Sequence, residues 1–283
     1  RPTWAPEQQL YDKSITRIVM ADWYALKDPR QFYYSTYTLT RARQQETTEA
    51  NFSFVESRGL ADLLADELRS VALKVLVPLR DAAWGANQHN TFICGYGYGT
   101  TFTQPCMYHA MDNLAIAQYL SRLGLLLGDT EALDAGKQAW LDAAAWQPLR
   151  RYVEDCLVVR DPFELFVAQN VALDGLLYPL VYARIVDDHI SVRGGTAVAM
   201  LTQFMSDWFD ETRKWVDAVL KVAAAESDAN RALLQEWTQA WSARAASAMV
   251  PIVELALGAA ADDAVGEQLA AFKARIAKTG ITL

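Results

Sequence analysis

The sequence predicts an all-α protein, built as a bundle of long helices with additional shorter ones. Apolar residues recur every three to four positions along most of the chain, and almost no segment shows the alternation of a strand bounded by turn residues. Several predicted helices span about 25 to 35 residues, longer than most helices in globular proteins, which favours a bundle with nearly parallel axes.

Prolines mark the first two predicted helices. Asp28-Pro29 is typical of a helix start, an acidic N-cap followed by proline at the first helical position, and this helix would end near Glu56. A second helix would begin near Leu60 and be kinked at Pro78, because a proline inside a helix removes one backbone hydrogen bond.

The third predicted helix, from Thr91 to Leu127, contains the glycine-rich sequence CGYGYG at 94–99. Glycine costs about 1 kcal/mol relative to alanine inside a helix, so we expect a tertiary reason for it, such as close approach of another backbone. The glycine spacing does not match a dinucleotide-binding loop, and no strand precedes it. Further helices are predicted at about 130–142, 145–158, Asp161-Pro162 to Val186, 197–225, and 228–279 with breaks near Pro251 and Gly258.

No stretch is rich enough in Gly, Ser or Pro to separate domains, so we expect one helical domain over residues 28–283. Residues 1–27 would form an extended N-terminal arm. The arm carries four large apolar side chains that we expect to be exposed: Trp4, Leu10, Tyr11 and Trp23. Because exposed apolar groups mark contact surfaces, we expect the arm to lie across another subunit.

Composition excludes several classes of function. The net charge is -8 and no basic stripe is present, so nucleic acid is a poor partner. Cys94, Cys106 and Cys156 form no C-x-x-C pair, which argues against disulfides or a zinc site and favours free buried thiols in the cytoplasm. No signal peptide is visible.

Two long stretches with few charges could be mistaken for membrane spans. Residues 82–111 contain no Asp, Glu, Lys or Arg, and residues 162–183 are mostly apolar. Polar side chains interrupt both, including Asn87, Gln88, His89 and Asn90 in the first and Glu164, Gln169, Asn170 and Asp174 in the second. We therefore expect buried helices and no membrane partner.

The sequence FDETRKW at 209–215 is one residue short of the helical metal motif D-E-x-R-H. A di-iron carboxylate bundle needs two E-x-x-H pairs, since residues three apart share a helix face. None of His89, His109 and His189 has a glutamate three residues before it, so we expect structural histidines. In a second near match, MDNLAIAQ at 111–118, asparagine and isoleucine stand at the Glu and His positions.

Lys214 occupies the histidine position of the first near match. A charged lysine has no lone pair for iron, and Glu211 beside it favours the charged form. Alone, this pair would be a common surface ion pair worth a few tenths of a kcal/mol. Asp187-Asp188 lacks the third acid of a magnesium motif, and no nucleophile elbow, Cys-His pair or Walker loop is present. We predict no catalytic, cofactor-binding or metal-binding residue.

Four long stretches resemble the β subunit of the bacterial multicomponent monooxygenases, most closely that of the phenol hydroxylases. They are DPRQFYYSTYTLTRARQQETTE (28–49), QYLSRLGLLL (118–127), LRRYVEDCLVVRDPFELFVAQNVALDGLLYPL (149–180) and AESDANR (225–231). The resemblance implies a ferritin-like fold and an (αβγ)₂ hydroxylase that converts phenol to catechol with NADH and O₂. It also implies a di-iron centre in the α subunit, a regulatory protein, a flavin and iron-sulfur reductase, and a metal-free structural β subunit.

The same analogy places residues of this chain against the iron ligands of α. Glu164 would lie where a glutamate ligand lies, while residues 210–214 and 111–118 overlay the two motifs. Two leftover buried carboxylates need compensation, because an unpaired buried charge costs several kcal/mol. We therefore expect Lys214, Arg213 and similar cations to neutralise them.

Two alternatives remain open. The chain could be a catalytic ferritin-like oxidase with an atypical metal site, which two bound irons per isolated chain would support. It could instead be a helical binding module unrelated to oxygenases, which co-purification without a larger di-iron partner would support.

Overall fold

The computed structural model describes residues 6–7 and 9–283, and every regular element within these residues is a helix. The prediction of an all-α bundle of long helices is therefore confirmed. Its α-helices are α1 (Tyr34–Ser57), α2 (Asp66–Leu76), α3 (Leu79–Tyr96), α4 (Thr100–Asp142), α5 (Gln147–Cys156), α6 (Pro162–Phe166), α7 (Asp174–Tyr178), α8 (Thr196–Glu226), α9 (Asp228–Leu257) and α10 (Ala261–Ala277).

The middle of the bundle is a helix of mixed type, here called the central helix. It consists of α6, a first π-helix (Val167–Leu173), α7 and a second π-helix (Pro179–Ile190). The carboxylate of Asp161 caps its start, accepting hydrogen bonds from the backbone N–H groups of Phe163 (2.8 Å) and Glu164 (3.2 Å), as predicted.

Two helical segments among the described residues are long and apolar enough to cross a membrane by composition alone. One is Pro162–Arg193, and 94% of its apolar window is buried inside the protein. The other is Asp228–Ala277, with 39% of its window buried. The burial of the first segment identifies it as a core helix of the bundle, as the polar residues within it predicted.

The predicted helix start at Asp28-Pro29 is wrong, since α1 begins at Tyr34. Asp28 instead accepts hydrogen bonds from the backbone N–H and the guanidinium of Arg30. Gln31 has φ 55°, a left-handed conformation that a right-handed helix cannot contain. The true cap is at Tyr33, whose backbone N–H donates to the Thr36 hydroxyl at 2.8 Å.

The predicted boundary between the second and third helices is also wrong. Helix α3 continues to Tyr96 and includes the first half of the glycine-rich sequence, whereas residues 97–99 form the turn before α4. Gly99 has φ 87°, and a Cβ added there would lie 3.1 Å from Cβ of Trp23. A close approach therefore does explain this glycine, but the neighbour is a side chain and not a backbone.

Other predicted breaks had mixed outcomes. Pro78 interrupts the helical hydrogen bonds between α2 and α3 while Val77 and Pro78 keep right-handed helical angles, in agreement with a kink at Pro78. The boundary near 128 is confirmed by non-helical backbone at Gly128 and Asp129 within α4. Pro251 does not break α9, whereas Gly258 ends it as predicted.

The expectation that the arm carries an exposed Trp23 and crosses another subunit is wrong for residues 16–26, which pack on this chain itself. Trp23 is 7% exposed, and Ile18 and Leu26 are fully buried. Asn230 of α9 brackets the backbone of Val19, accepting from its N–H at 3.1 Å and donating to its carbonyl at 2.8 Å. Leu10 and Tyr11 are exposed as expected, and Trp4 lies outside the described residues.

Packing around the central helix determines which side chains meet. The α3–α4 hairpin, α8 and α9 all contact the central helix, and α1 lies on the outer side of α8. The largest fully buried side chains include Trp208 and Trp215 of α8. The junction of α1, α4 and α8 brings the two near-match motifs together.

Candidate functional site

The DETRK motif on α8 points mostly away from the interior. Asp210, Arg213 and Lys214 are exposed, and Arg213 pairs with Asp210 across one helical turn at 3.0 Å. Thr212 is buried, and the side chain of Glu211 is 22% exposed. Because successive helical residues are about 100° apart, one face of α8 cannot bury all five positions. The expectation that Lys214 and Arg213 neutralise the motif carboxylate is therefore wrong.

Two other arginines compensate Glu211. The guanidinium of Arg41, on α1, donates to both carboxylate oxygens, from Nη2 to Oε1 at 2.9 Å and from Nη1 to Oε2 at 3.0 Å. Nη1 of Arg30 lies 3.4 Å from Oε1. The expectation that cations neutralise this carboxylate is correct in kind, but the cations come from the α1 region and not from α8.

Arg41 also binds Asp112, which lies in the MDNLAIAQ near match on α4 and is 3% exposed. Nε donates to Oδ1 at 2.8 Å and Nη2 to Oδ2 at 2.7 Å. Tyr37 and Trp208 complete the set, donating from the hydroxyl to Oδ1 and from the indole N–H to Oδ2, each at 2.8 Å. Each oxygen of Asp112 therefore accepts two hydrogen bonds.

We call Arg30, Arg41, Asp112 and Glu211 the arginine clamp. Burial would lower the pKa of Arg41, but Asp112 and Glu211 outweigh it and raise this pKa, so the guanidinium stays charged. Burial, followed by the charge of Asp112, raises the pKa of the Tyr37 hydroxyl, which therefore remains a donor. The clamp fastens α1 to α4 and α8.

Glu164 does not join this cluster. It accepts a hydrogen bond from the Trp241 indole N–H of α9 at 3.1 Å, and burial raises the pKa of its half-buried carboxyl. Glu164 and Glu211 therefore bind different helices and do not share compensating cations.

The remaining positions of the first near match are unsuited to iron. Ile116 is buried and apolar, and the Asn113 amide donates to the carbonyl of His109 at 2.9 Å. Both line an interior cavity of about 20 Å³, next to Gln169 and Asp174. Such a volume holds about one water molecule. Within the described part of the chain, no three His, Cys, Asp or Glu side chains converge as metal ligands. These residues do not fit a di-iron centre.

A second buried cluster escaped the sequence reasoning. Four side chains form a hydrogen-bonded series that we call the core chain: His89, Gln169, Asp174 and His109. His89 Nδ1 lies 2.7 Å from Gln169 Oε1, Gln169 Nε2 lies 2.8 Å from Asp174 Oδ1, and His109 Nε2 lies 2.9 Å from Asp174 Oδ2. His89 Nε2 lies 3.0 Å from the Val153 carbonyl.

The π-helical backbone aligns part of the core chain. Gln169 and Asp174 are five residues apart, and the backbone N–H of Asp174 donates to the carbonyl of Gln169. This i to i+5 bond defines a π-helix and places both side chains on one side. In the sequence, this cluster shows only as polar residues that interrupt the apolar stretch 162–183, a pattern that argues against a membrane span but does not reveal hydrogen-bond partners. His89 and His109 are core residues and His189 is a surface residue, beside Arg193, an assignment that the sequence did not make.

Comparisons with known proteins identify the family of this chain. A profile of the methane/phenol/alkene hydroxylase family matches residues 2–227. The chain is 50% identical over 283 residues to the oxygenase component DmpL of phenol 2-monooxygenase from Pseudomonas sp. strain CF600, covering 99% of this chain and 84% of that protein. It is 25% identical to the hydroxylase component small subunit of propane 2-monooxygenase from Mycolicibacterium smegmatis, covering 86% of this chain and 68% of that protein.

A solved structure has the same fold. The xenon-pressurised phenol hydroxylase from Pseudomonas sp. OX1 superposes with a TM-score of 0.94 at 44% identity, covering 100% of this chain and 86% of that one.

Proposed function

Because this chain belongs to the methane/phenol/alkene hydroxylase family, we propose that it is the non-catalytic β subunit of a di-iron aromatic hydroxylase. The observation that carries the proposal is the arginine clamp. Asp112 and Glu211, the carboxylates of the near-match motifs that are not fully exposed, direct their oxygens at guanidinium, hydroxyl and indole donors. Asp112 has no free lone pair for a metal, and Arg41 occupies both oxygens of Glu211.

We propose that the chain acts within an (αβγ)₂ assembly in the cytoplasm. A di-iron centre in α would hydroxylate phenol to catechol with O₂ and electrons from NADH, passed on by a reductase and adjusted by a regulatory protein. In this assembly the present chain would brace the α helices. The small-subunit name of the propane 2-monooxygenase relative supports a role as one component among several.

The face that would bind the α subunit is the outer side of the α3–α4 hairpin. Residues 82–111 contain no Asp, Glu, Lys or Arg, yet Trp84 is 53% exposed, Met111 42% and, one turn beyond, Leu114 39%. Uncharged, partly aromatic helical surfaces of this kind are typical of the buried centre of a subunit interface. We propose that helices of α cover this face.

The first experiment separates this function from its alternatives. The isolated chain should contain no stoichiometric iron and show no phenol hydroxylation, and activity should appear only when it is combined with a partner that carries intact E-x-x-H motifs. Two irons in the isolated chain would favour the catalytic alternative. Failure to bind any such partner would favour the unrelated binding module.

The second experiment tests the binding face. Trp84→Glu should weaken assembly with α at least about tenfold, because a buried charge replaces an aromatic anchor, and a tenfold change corresponds to about 1.4 kcal/mol. Leu63→Glu is the matched control, since Leu63 is 78% exposed and lies outside the hairpin. Equal effects of the two substitutions would contradict the proposed face. Titration of labelled α with each variant measures the affinities.

A further inference from the structure

The interior cavity beside Asn113 lies between the α3–α4 hairpin and the central helix, and its polar wall residues decide what it holds. Its volume is about 20 Å³. Leucine, isoleucine and alanine side chains form most of the wall, and the polar side chains that complete it are no more than 5% exposed: Asn113, Gln169, Asp174, Tyr178 and Tyr182. A cavity with apolar walls alone stays dry, whereas a cavity with several polar partners binds water.

The polar residues of the central helix reach the cavity together because of their spacing. Asp174 follows Gln169 by five residues across the π-helical turn, and Tyr178 follows Asp174 by four residues in α7. Both spacings place side chains on one side of the helix. Asn113 reaches the same cavity from α4. The cavity therefore has polar groups on two different helices.

Two of the wall residues have unused acceptor positions. The Asn113 amide nitrogen donates to the His109 carbonyl at 2.9 Å, which fixes the direction of this amide. The side-chain oxygen of Asn113 accepts no hydrogen bond from any described residue. Each oxygen of Asp174 has one partner, Gln169 Nε2 at 2.8 Å or His109 Nε2 at 2.9 Å, although an oxygen of this kind can accept two hydrogen bonds.

Two tyrosine hydroxyls supply donors. Those of Tyr178 and Tyr182 form no hydrogen bond with any described residue. Burial, the largest effect, raises the pKa of both hydroxyls, so both keep their hydrogens at neutral pH. A buried polar group without a partner is costly. One molecule that can both donate and accept would satisfy the donors and the acceptors together.

The size and the wall of the cavity exclude other occupants. An organic molecule needs more room, since cavities that bind benzene measure about 150 Å³. A metal ion needs several ligands of suitable chemistry, and Asp174 is the only acid or histidine among the described residues of the wall. An apolar gas would leave the polar groups without partners. Water fits the volume and can donate twice and accept twice.

We propose that this cavity is a hydration site that holds one long-lived water molecule. The water donates to the Asn113 side-chain oxygen and to Asp174, and it accepts from the Tyr178 hydroxyl. Three hydrogen bonds are typical of a buried water. Asn113 occupies the glutamate position of the near match on α4. The water therefore links this motif to the central helix, as the contact between His109 and Asp174 does one turn earlier.

NMR of the full-length ¹⁵N-labelled chain tests this proposal without any partner subunit. Nuclear Overhauser spectra in the laboratory and rotating frames should show transfer between water and the side-chain amide hydrogens of Asn113. The signs should be those of a dipolar contact and not of hydrogen exchange, because a long-lived water tumbles with the protein. A folded chain without this cross peak would have a dry cavity and would overturn the proposal.

Deuteron relaxation dispersion of the immobilised chain supplies a second measurement, with a matched pair of variants. Tyr178→Phe removes one hydrogen bond to the water and should shorten its residence time about fivefold, the change expected from a hydrogen bond of average net strength. Tyr152→Phe is the control, because Tyr152 is also buried but donates to the Ala168 carbonyl and does not line the cavity. Equal residence times in the wild type and Tyr178→Phe would overturn the proposed set of partners. If Tyr178→Phe does not fold, the wild-type cross peak alone decides.

Discussion

The arginine clamp and the core chain are two solutions to the same problem, the burial of acidic side chains inside a helical bundle. In the clamp, Asp112 keeps its charge and a guanidinium neutralises it at 2.7 Å. In the core chain, Asp174 pairs with no arginine or lysine of the described residues, and hydrogen bonds with His109 and Gln169 hold its two oxygens. Both residues are 3% exposed, so depth in the bundle does not separate them. The difference lies in the neighbouring helices, which present Arg41 to Asp112 and present His109 and Gln169 to Asp174.

Arg41→Met should have the largest effect on stability. It leaves Asp112 buried without its cation, and breaking such a pair costs about 3–5 kcal/mol. Urea unfolding measures the loss in free energy. Arg213→Met is the control, because Arg213 makes only an exposed pair and should change stability by less than about 0.5 kcal/mol. Similar losses in both variants would mean that the clamp does not hold α1 in place.

Gln169→Leu should have the next largest effect. It leaves His89 Nδ1 and Asp174 Oδ1 without partners, and unsatisfied buried polar groups cost about 1–3 kcal/mol each. We expect a loss of about 2–3 kcal/mol in urea unfolding. The exposed Gln118 gives a matched control, Gln118→Leu, which should be nearly neutral. A loss larger than that of Arg41→Met would reverse the ranking of the two regions.

The pH dependence of stability should distinguish the two regions again. The folded-state pKa of His89 is lowered, so below the unfolded value of about 6.5 the unfolded chain binds a proton that the folded chain does not. The contribution of His89 to the free energy of unfolding has its full value above about pH 6.5. It decreases as the pH falls, by up to about 1.4 kcal/mol per pH unit.

The measurement compares unfolding free energies at pH 7 and pH 5 in a His189→Gln background, which removes the surface histidine. His89→Asn should flatten the slope, whereas Tyr37→Phe, which removes one hydrogen bond to Asp112 but keeps its pair with Arg41, should leave it unchanged over this range. An unchanged slope in His89→Asn would show that the core chain does not titrate there.

The smallest effect is expected for Lys214→Met. Lys214 is exposed and contributes nothing to the clamp, so stability and assembly with α should change by less than about 0.5 kcal/mol. A large loss of unfolding free energy in urea would show that Lys214 does neutralise a buried carboxylate, as the motif first suggested.

The sequence predicted the class of the fold well because helical periodicity is a local property. It placed the start of the central helix at Asp161-Pro162, where the capping carboxylate and the proline act within one turn. It failed at Asp28-Pro29, which has the same local signal, because Asp28 binds Arg30 instead of capping. The two dipeptides are the same but the residues after them differ: Arg30 binds Asp28 through its guanidinium, and Gln31 adopts a left-handed conformation that a helix cannot contain.

The candidate site was only partly predictable for the same reason. Motif comparison identified the regions around Asp112 and Glu211 but assigned compensation to the neighbours in sequence. Arg41 lies 71 residues from Asp112 and 170 from Glu211, and nothing in the spacing indicates that it binds both. The core chain depends on a π-helix, and its i to i+5 geometry leaves no signature in hydrophobic periodicity.

The π-helical stretches of the central helix have a consequence for how this protein tolerates insertions and deletions. The π-helical turn between Gln169 and Asp174 holds one residue more than an α-helical turn, so side chains five residues apart share a face. Deleting one residue between them would leave a pair four residues apart, which an ordinary α-helix also places on one face. The residues after the deletion would therefore keep their orientation. A single-residue deletion within this turn should be tolerated better than one within α8, where it would rotate every later residue by about 100°.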